Sequence, residues 1–158
     1  MAAMFGGSTL AELREAFAAG ESQTTNGASP RIAPFADVKD IGNLLQRAGF
    51  ALPVTDMERT QVLYENFDSL IRDLRDLGET NALAARHKQP LRRATLTASL
   101  SHYTQYHTEK DGRLRATFDI IYLAGWSPHE GQQKPLKPGS AISRLSDALK
   151  SKSPTERS

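Results

Sequence analysis

Residues 1–9 read Met1-Ala2-Ala3-Met4-Phe5-Gly6-Gly7-Ser8-Thr9. An apolar run closed by a Gly-Gly pair and followed by a capping residue is how a central parallel strand of an α/β sheet hands the chain to its crossover helix. The run therefore predicts the buried end of a strand, with no polar surface segment ahead of it, as in the middle of a domain. Thr9-x-x-Glu12 then matches a capping box, in which side chain and backbone satisfy each other's orphan donors. Leu10, Leu13 and Phe17 line one face of the helix that follows.

Outward from this start, Gly20 to Pro34 shifts to Ser, Thr, Gly, Asn and Pro, a composition that predicts a surface loop ending at Phe35. Asp37 is placed to cap a second helix with Val38, Ile41, Leu45 and Ala48 at helical spacing, closed by Gly49 as a left-handed cap. Phe50 to Val54 reads as the next strand and Thr60 to Tyr64 as a short alternating segment. A third helix begins near Asn66, with Phe67, Leu70, Ile71, Leu74 and Leu77 on one stripe and Gly78 as its stop. Leu96, Leu100, Tyr103 and His107 mark a fourth helix, and Asp111-Gly112 a turn. The strongest strand is Arg115 to Trp126. It places Ala116, Phe118, Ile120, Tyr122, Ala124 and Trp126 on one face and Ile121 and Leu123 on the other, a pattern that predicts cover from both sides. After Pro128 only Ile142 to Leu149 suggests a helix, and the last residues read as a disordered tail.

The chain has 158 residues, 39% hydrophobic and 24% charged, which suits one globular domain over residues 1–150 with residues 151–158 as the tail. No apolar stretch reaches the length of a membrane span, and no basic region precedes the first apolar run, so neither a span nor a secretory signal is expected. The absence of cysteine removes disulfides and thiolate chemistry and fits a reducing, cytoplasmic location. A net charge of +2 is too small to argue for nucleic acid.

Six groups of residues carry a family resemblance: Ala2-Ala3-Met4-Phe5-Gly6-Gly7 with Thr9-Leu10-x-Glu12-Leu13-Arg14; Ser29-Pro30-Arg31-Ile32-Ala33-Pro34-Phe35; Arg47-Ala48-Gly49-Phe50; Asp73-Leu74-Arg75-x-x-Gly78-x-x-Asn81; Ala116-Thr117-Phe118; and Gly125-Trp126-x-Pro128-His129-Glu130 with Gln133-Lys134-Pro135-Leu136. In this order and spacing the chain resembles the methyltransferase-type assembly factors of respiratory complex I and their alphaproteobacterial relatives. More distantly it resembles the malonyl-carrier-protein methyltransferases of biotin synthesis. The resemblance implies an α/β fold, the C-terminal half of a Rossmann-like class I methyltransferase. This chain would supply strands five, six and seven, the last antiparallel between the other two, with a helical insertion between six and seven. The Gly-rich loop and the ribose-binding acid of such folds are not in this sequence, which puts cofactor binding by this chain alone in question. A first strand without its neighbour would expose an edge of unpaired N–H and C=O groups, and the expected consequence is either a homodimer through that edge or marginal stability of the isolated chain.

The resemblance implies S-adenosylmethionine as cofactor, with Phe5, Gly6 and Gly7 at the rim of its pocket. It implies a protein acceptor as partner, in respiratory complex assembly. It also places Tyr64, Asn81 and Arg86 toward the acceptor; the plainer alternative is that Asn81 caps a turn and Tyr64 packs. In the complex I branch, hydroxylation of a subunit arginine rather than methylation is attributed to the fold, so the reaction stays open. A non-catalytic module that retains only the acceptor-facing half is the second functional reading.

Other constellations carry less. Trp126 and His129 stand in a Pro-flanked segment where an amphipathic ring could anchor a partner or close the core. His87, His102, His107 and His129 contain no i, i+4 pair, and the five-residue step from His102 to His107 predicts different helix faces, so no metal is expected. Arg72, Asp73, Arg75, Asp76 and Glu79 read as a solvated helix side. Arg86, Lys88, Arg92 and Arg93 around His87 form a basic patch without a stacking aromatic, and nucleic acid is not the expected partner. No catalytic set can be assembled from spacing alone.

Overall fold

The computed structural model describes residues 1–25, 27, 29–81, 83–84, 86 and 90–131. The chain divides into two units, Met1–Ser127 and Pro128–Ser158. The helix expected over Ile142 to Leu149 and the tail from 151 lie outside the described residues.

The first unit contains β1 (Ala2–Phe5), α1 (Ala11–Thr25), α2 (Val38–Arg47), β2 (Ala51–Tyr64), α3 (Phe67–Asp76), α4 (Arg93–Tyr106) and β3 (Leu114–Trp126). The sheet order is β1-β3-β2, and β3 runs antiparallel to both neighbours. This is the α/β arrangement expected, with the last strand between the other two and helices α3 and α4 inserted before it. Ala2 stands opposite Leu123 and Phe5 opposite Ile120; on the other side Tyr64 meets Leu114 and Ala51 meets Trp126.

Several local expectations are corrected. β1 is an edge strand with Ala2 to Met4 exposed rather than a buried central one, and no parallel neighbour flanks it among the described residues. The two segments expected at Phe50–Val54 and Thr60–Tyr64 are one strand, β2, because the register irregularity between Ala51 and Val54 absorbs Leu52 (φ 47°) and Pro53 without ending the pairing. α1 runs on to Thr25, through residues whose composition predicted loop. Tertiary packing overrides propensity there. A Cβ on Gly20 would lie 2.2 Å from Ser99 Oγ and 2.9 Å from the Thr95 carbonyl oxygen, so glycine is what lets α1 and α4 approach. The buried face of α4 is correspondingly Thr95, Ser99 and Tyr103, with Leu96 and Leu100 at its flank.

The caps of α2 and α3 follow the sequence. Asp37 accepts a bond from Lys39 N and Asn66 from Ser69 N, both at 2.9 Å, and Gly49 and Gly78 take positive φ just past the helix ends. The core joins Leu10, Leu13 and Ala16 of the α1 region, Tyr64, Leu70 and Leu74, Tyr103, and Leu114, Ala116 and Phe118. β3 is deeply covered from Leu114 to Asp119. Its far end is not: Tyr122 is 44% and Trp126 51% exposed.

The expected capping box is built differently. Thr9 Oγ1 donates to Asp119 O and accepts from Asp119 N, while Glu12 accepts from Thr117 N and Thr117 Oγ1. Gly6 N and Leu10 N donate to Asp119 O and Thr117 O, both at 2.7 Å. Backbone and side chains of residues 6–12 thus continue the pairing of β3 after β1 ends at Phe5, because the exposed ladder groups of β3 must find partners.

Candidate functional site

Two adjoining recesses lie where β1 gives way to the loop before α2. One, of about 260 Å³, is walled by Leu10, Leu13 and Phe17 on one side and by Ile71 and Leu74 of α3 on the other, with Arg31, Ile32, Phe35, Arg75, Glu79 and Asn81 around it. The second, of about 530 Å³, opens along the edge of β1 and is lined by Ala3, Met4, Phe5, Phe35, Glu79 and Ile120. Phe35 and Glu79 belong to both. The ring of Phe5 packs edge-on to Phe35, centroids 6.1 Å apart, and tilts on Phe118 at 5.7 Å. An apolar cleft of this size with a few charged groups at its rim suits a small organic ligand.

The loop over the cleft is held by side chains. Glu21 is buried in α1, accepts from Ser29 N and pairs with Arg31 Nε at 2.6 Å. Asn81 donates to the carbonyls of Pro30 (2.7 Å) and Arg31 (3.0 Å) and accepts from Leu83 N. Its amide is fully engaged in pinning two loops, so the turn-capping alternative describes its bonds, although it also lines the cleft. Beneath the β1–α1 turn, Arg59 forms a two-pronged pair with Asp119, Nε–Oδ1 2.7 Å and Nη2–Oδ2 2.9 Å, and Ser8 N donates to the same carboxylate. The bonds from Arg59, then that from Ser8, hold the Asp119 carboxyl below its ordinary range against the opposing effect of burial.

Of the candidates read from the sequence, Phe5 and Asn81 line these recesses. Gly6 and Gly7 do not line the recess beside Phe5. The backbone of Gly6 is bonded to Asp119, and the space for a Cβ is filled by Ile121 Cγ1 at 2.8 Å, which accounts for glycine without a ligand. Tyr64 packs in the core. Burial first, and Asp73 beside it second, raise its hydroxyl pKa. Arg86 is exposed and donates to Leu83 O at 3.0 Å. Trp126 is half-exposed at the end of β3 opposite Ala51. In the second unit, His129 Nδ1 accepts from Gly131 N at 3.1 Å. Of the basic patch, Arg86, Arg92 and Arg93 are exposed, while His87 and Lys88 lie outside the described residues.

Sequence reasoning missed the contribution of Arg31, Ile32, Phe35 and Glu79. A large aromatic closing a Ser/Gly/Pro-rich loop was the available signal for Phe35. It also separated two histidines that the structure brings together: the rings of His102 and His107 are 6.1 Å apart, and both face Glu15 of α1.

The open recess fits part of a nucleoside-type cofactor. Ala3, Met4, Phe5 and Phe35 offer an apolar wall for a flat base, and Glu79 is the one carboxylate in its lining. The glycine backbone at that rim is committed to β3. Among the described residues no helix is long and apolar enough to cross a membrane.

No family model matches the chain. It is 40% identical over 147 residues to the mitochondrial arginine-hydroxylase NDUFAF5 of Dictyostelium discoideum, a match covering 93% of this chain and 34% of that protein. The human protein of the same name is 42% identical over 139 residues, 88% of this chain and 40% of its own length. A malonyl-[acyl-carrier protein] O-methyltransferase of Nitrosospira multiformis is 37% identical over 128 residues, 81% and 39% of the two lengths. The chain thus spans less than half the length of these curated relatives, with the matched stretch covering most of it.

Proposed function

We propose that this chain, homologous to part of a methyltransferase-like family that includes the arginine-hydroxylase NDUFAF5 proteins and the malonyl-carrier-protein methyltransferases, forms the acceptor-facing portion of an S-adenosylmethionine-dependent enzyme that modifies a protein in respiratory complex assembly. The observation that supports this reading is the apolar cleft at the end of β1, placed where β1 meets α1 in a sheet with its last strand inverted. When bound, the cofactor supplies an electrophilic methyl group. The chain's own part is to bind and exclude water: Met4, Phe5 and Phe35 form the dry wall, Glu79, Arg31 and Arg75 stand at the polar rim, and Asn81 fixes the loop that carries Arg31. Exclusion of water and fixed orientation are the main demands of in-line group transfer. The relatives' names describe two reactions, hydroxylation and O-methylation, and the fold does not choose between them. Cytoplasmic placement rests on the cysteine-free composition.

Calorimetric titration with S-adenosylmethionine tests the reading. Binding that weakens in Phe5→Ala and Phe35→Ala supports it. No heat up to about 1 mM ligand, the weak end of specific binding, rejects cofactor binding by this chain and favours the second reading, a non-catalytic binding module. That module would use the free edge of β1 to pair with a partner or a second copy, as an unpaired edge invites. Light scattering over a concentration series decides whether a homodimer forms.

A further inference from the structure

We propose that Glu15, His102 and His107 form a binding site for a divalent transition-metal ion, independent of the cleft above. One ligand atom from each of the three residues lies within 4.8 Å of the others. Glu15 Oε2 is 3.4 Å from His107 Nε2, and Oε1 is 3.9 Å from His102 Nε2. Around a tetrahedral metal with bonds near 2.1 Å, neighbouring ligand atoms stand about 3.4 Å apart. One pair is already at that spacing, and the remaining ligand atoms lie within 4.8 Å of one another.

The backbone explains how residues five apart meet. His102 lies within α4, but His107 is the C-cap, with φ −126° and ψ 22°, outside the helical region. Its N–H donates to Tyr103 O at 2.8 Å and its carbonyl accepts from Arg115 N at 3.0 Å, so the departure from the helix is tied at both ends. The rings are seated on aromatics, His102 against Tyr106 at 4.6 Å and His107 edge-on to Tyr103 at 5.4 Å. The close α1–α4 approach at Gly20 brings Glu15 into range.

Two observations favour a ligand over a plain interhelical ion pair. His107 Nε2, the ring atom that faces Glu15, is buried with no hydrogen-bond partner among the described residues, where native structures leave few such atoms. Glu15 is paired with no Lys or Arg among those residues; only the two imidazoles face it, and its side chain is 59% exposed, leaving a path for entry. Two imidazoles and one carboxylate suit zinc, iron(II), cobalt(II) or nickel(II) rather than calcium or magnesium, which prefer all-oxygen shells. Three protein ligands leave a position for water, as in open zinc sites and in the two-histidine, one-carboxylate sites of iron.

The test is titration of the tag-free chain with cobalt(II), followed by its visible ligand-field bands, and with zinc by calorimetry. One equivalent is expected to bind, with histidine ring resonances of His102 and His107 shifting on zinc addition. Glu15→Gln, near-isosteric and on an exposed side chain, is expected to weaken binding by more than the roughly 10–100-fold loss seen for outer-shell changes, as is His102→Gln, while the exposed Glu65→Gln leaves it unchanged. Absence of ligand-field bands, or binding that Glu15→Gln leaves intact in a folded protein, overturns the site. The resonance shifts are read on the unmutated chain, so misfolding of a variant does not protect the proposal.

Discussion

α1 has two polar neighbourhoods, and they are built on opposite terms. At its start, Thr9, Glu12, Ser8 and Arg59 satisfy Asp119 and Thr117 of β3, donor to acceptor, in one connected set. Further along, where α1 crosses α4, Ser99 Oγ, His102 Nδ1 and His107 Nε2 are buried without partners among the described residues. A matched set buried under a turn holds the chain in place; an unmatched His107 Nε2 beside the exposed carboxylate of Glu15 has capacity to bind. The difference separates scaffold from candidate site better than residue type does, since both sets contain ionisable groups packed against α1.

The largest effect should come from the matched set. Asp119→Ala removes the two-pronged bond to Arg59 and the bond from Ser8 N, and should cost about 3 kcal/mol in urea unfolding. Because the folded carboxyl titrates below its unfolded value, this contribution is complete above about pH 4 and is lost as pH falls through the folded value. Asp119→Asn should therefore flatten the acid side of the stability profile; an unchanged profile would break the comparison. Next, zinc at about a hundred times its Kd should raise the unfolding free energy by about 2.7 kcal/mol, and should not do so in Glu15→Gln. Gly20→Ala should cost about 2 kcal/mol, because the new methyl meets Ser99 and the Thr95 carbonyl despite alanine's better helix propensity. It should also weaken cobalt binding if the α1–α4 approach positions Glu15. The smallest change is expected at Asn81→Ala, about 1 kcal/mol from its lost loop bonds, with a larger proportional loss of ligand binding in the cleft it braces.

Legibility followed the range of each interaction. Helices α2 and α3 were readable to within a residue or two because their caps, stripes and stop glycines act within a few positions. β3 was readable because two-faced apolarity survives over thirteen residues. Thr9 and Glu12 have the right spacing for a capping box, yet their side chains serve a strand more than a hundred residues away, and local spacing contains no trace of that. The same holds for α1 beyond Gly20, whose polar composition says loop while the notch against Ser99 says helix. Asn81 and Arg31 carried a signal through their places in the family pattern; Glu79 carried none beyond ordinary surface charge.

The order of the helices and of the first and last strands was contained in the sequence, because periodicity and turn chemistry are local, whereas the inverted last strand was implied only by the family that the motifs resemble. Which polar groups end up matched was decided only when α1 came to rest on β3 and α4. That matching depends on distances between residues far apart in the chain, and the helical period that separates His102 from His107 ceases to apply once the helix ends between them.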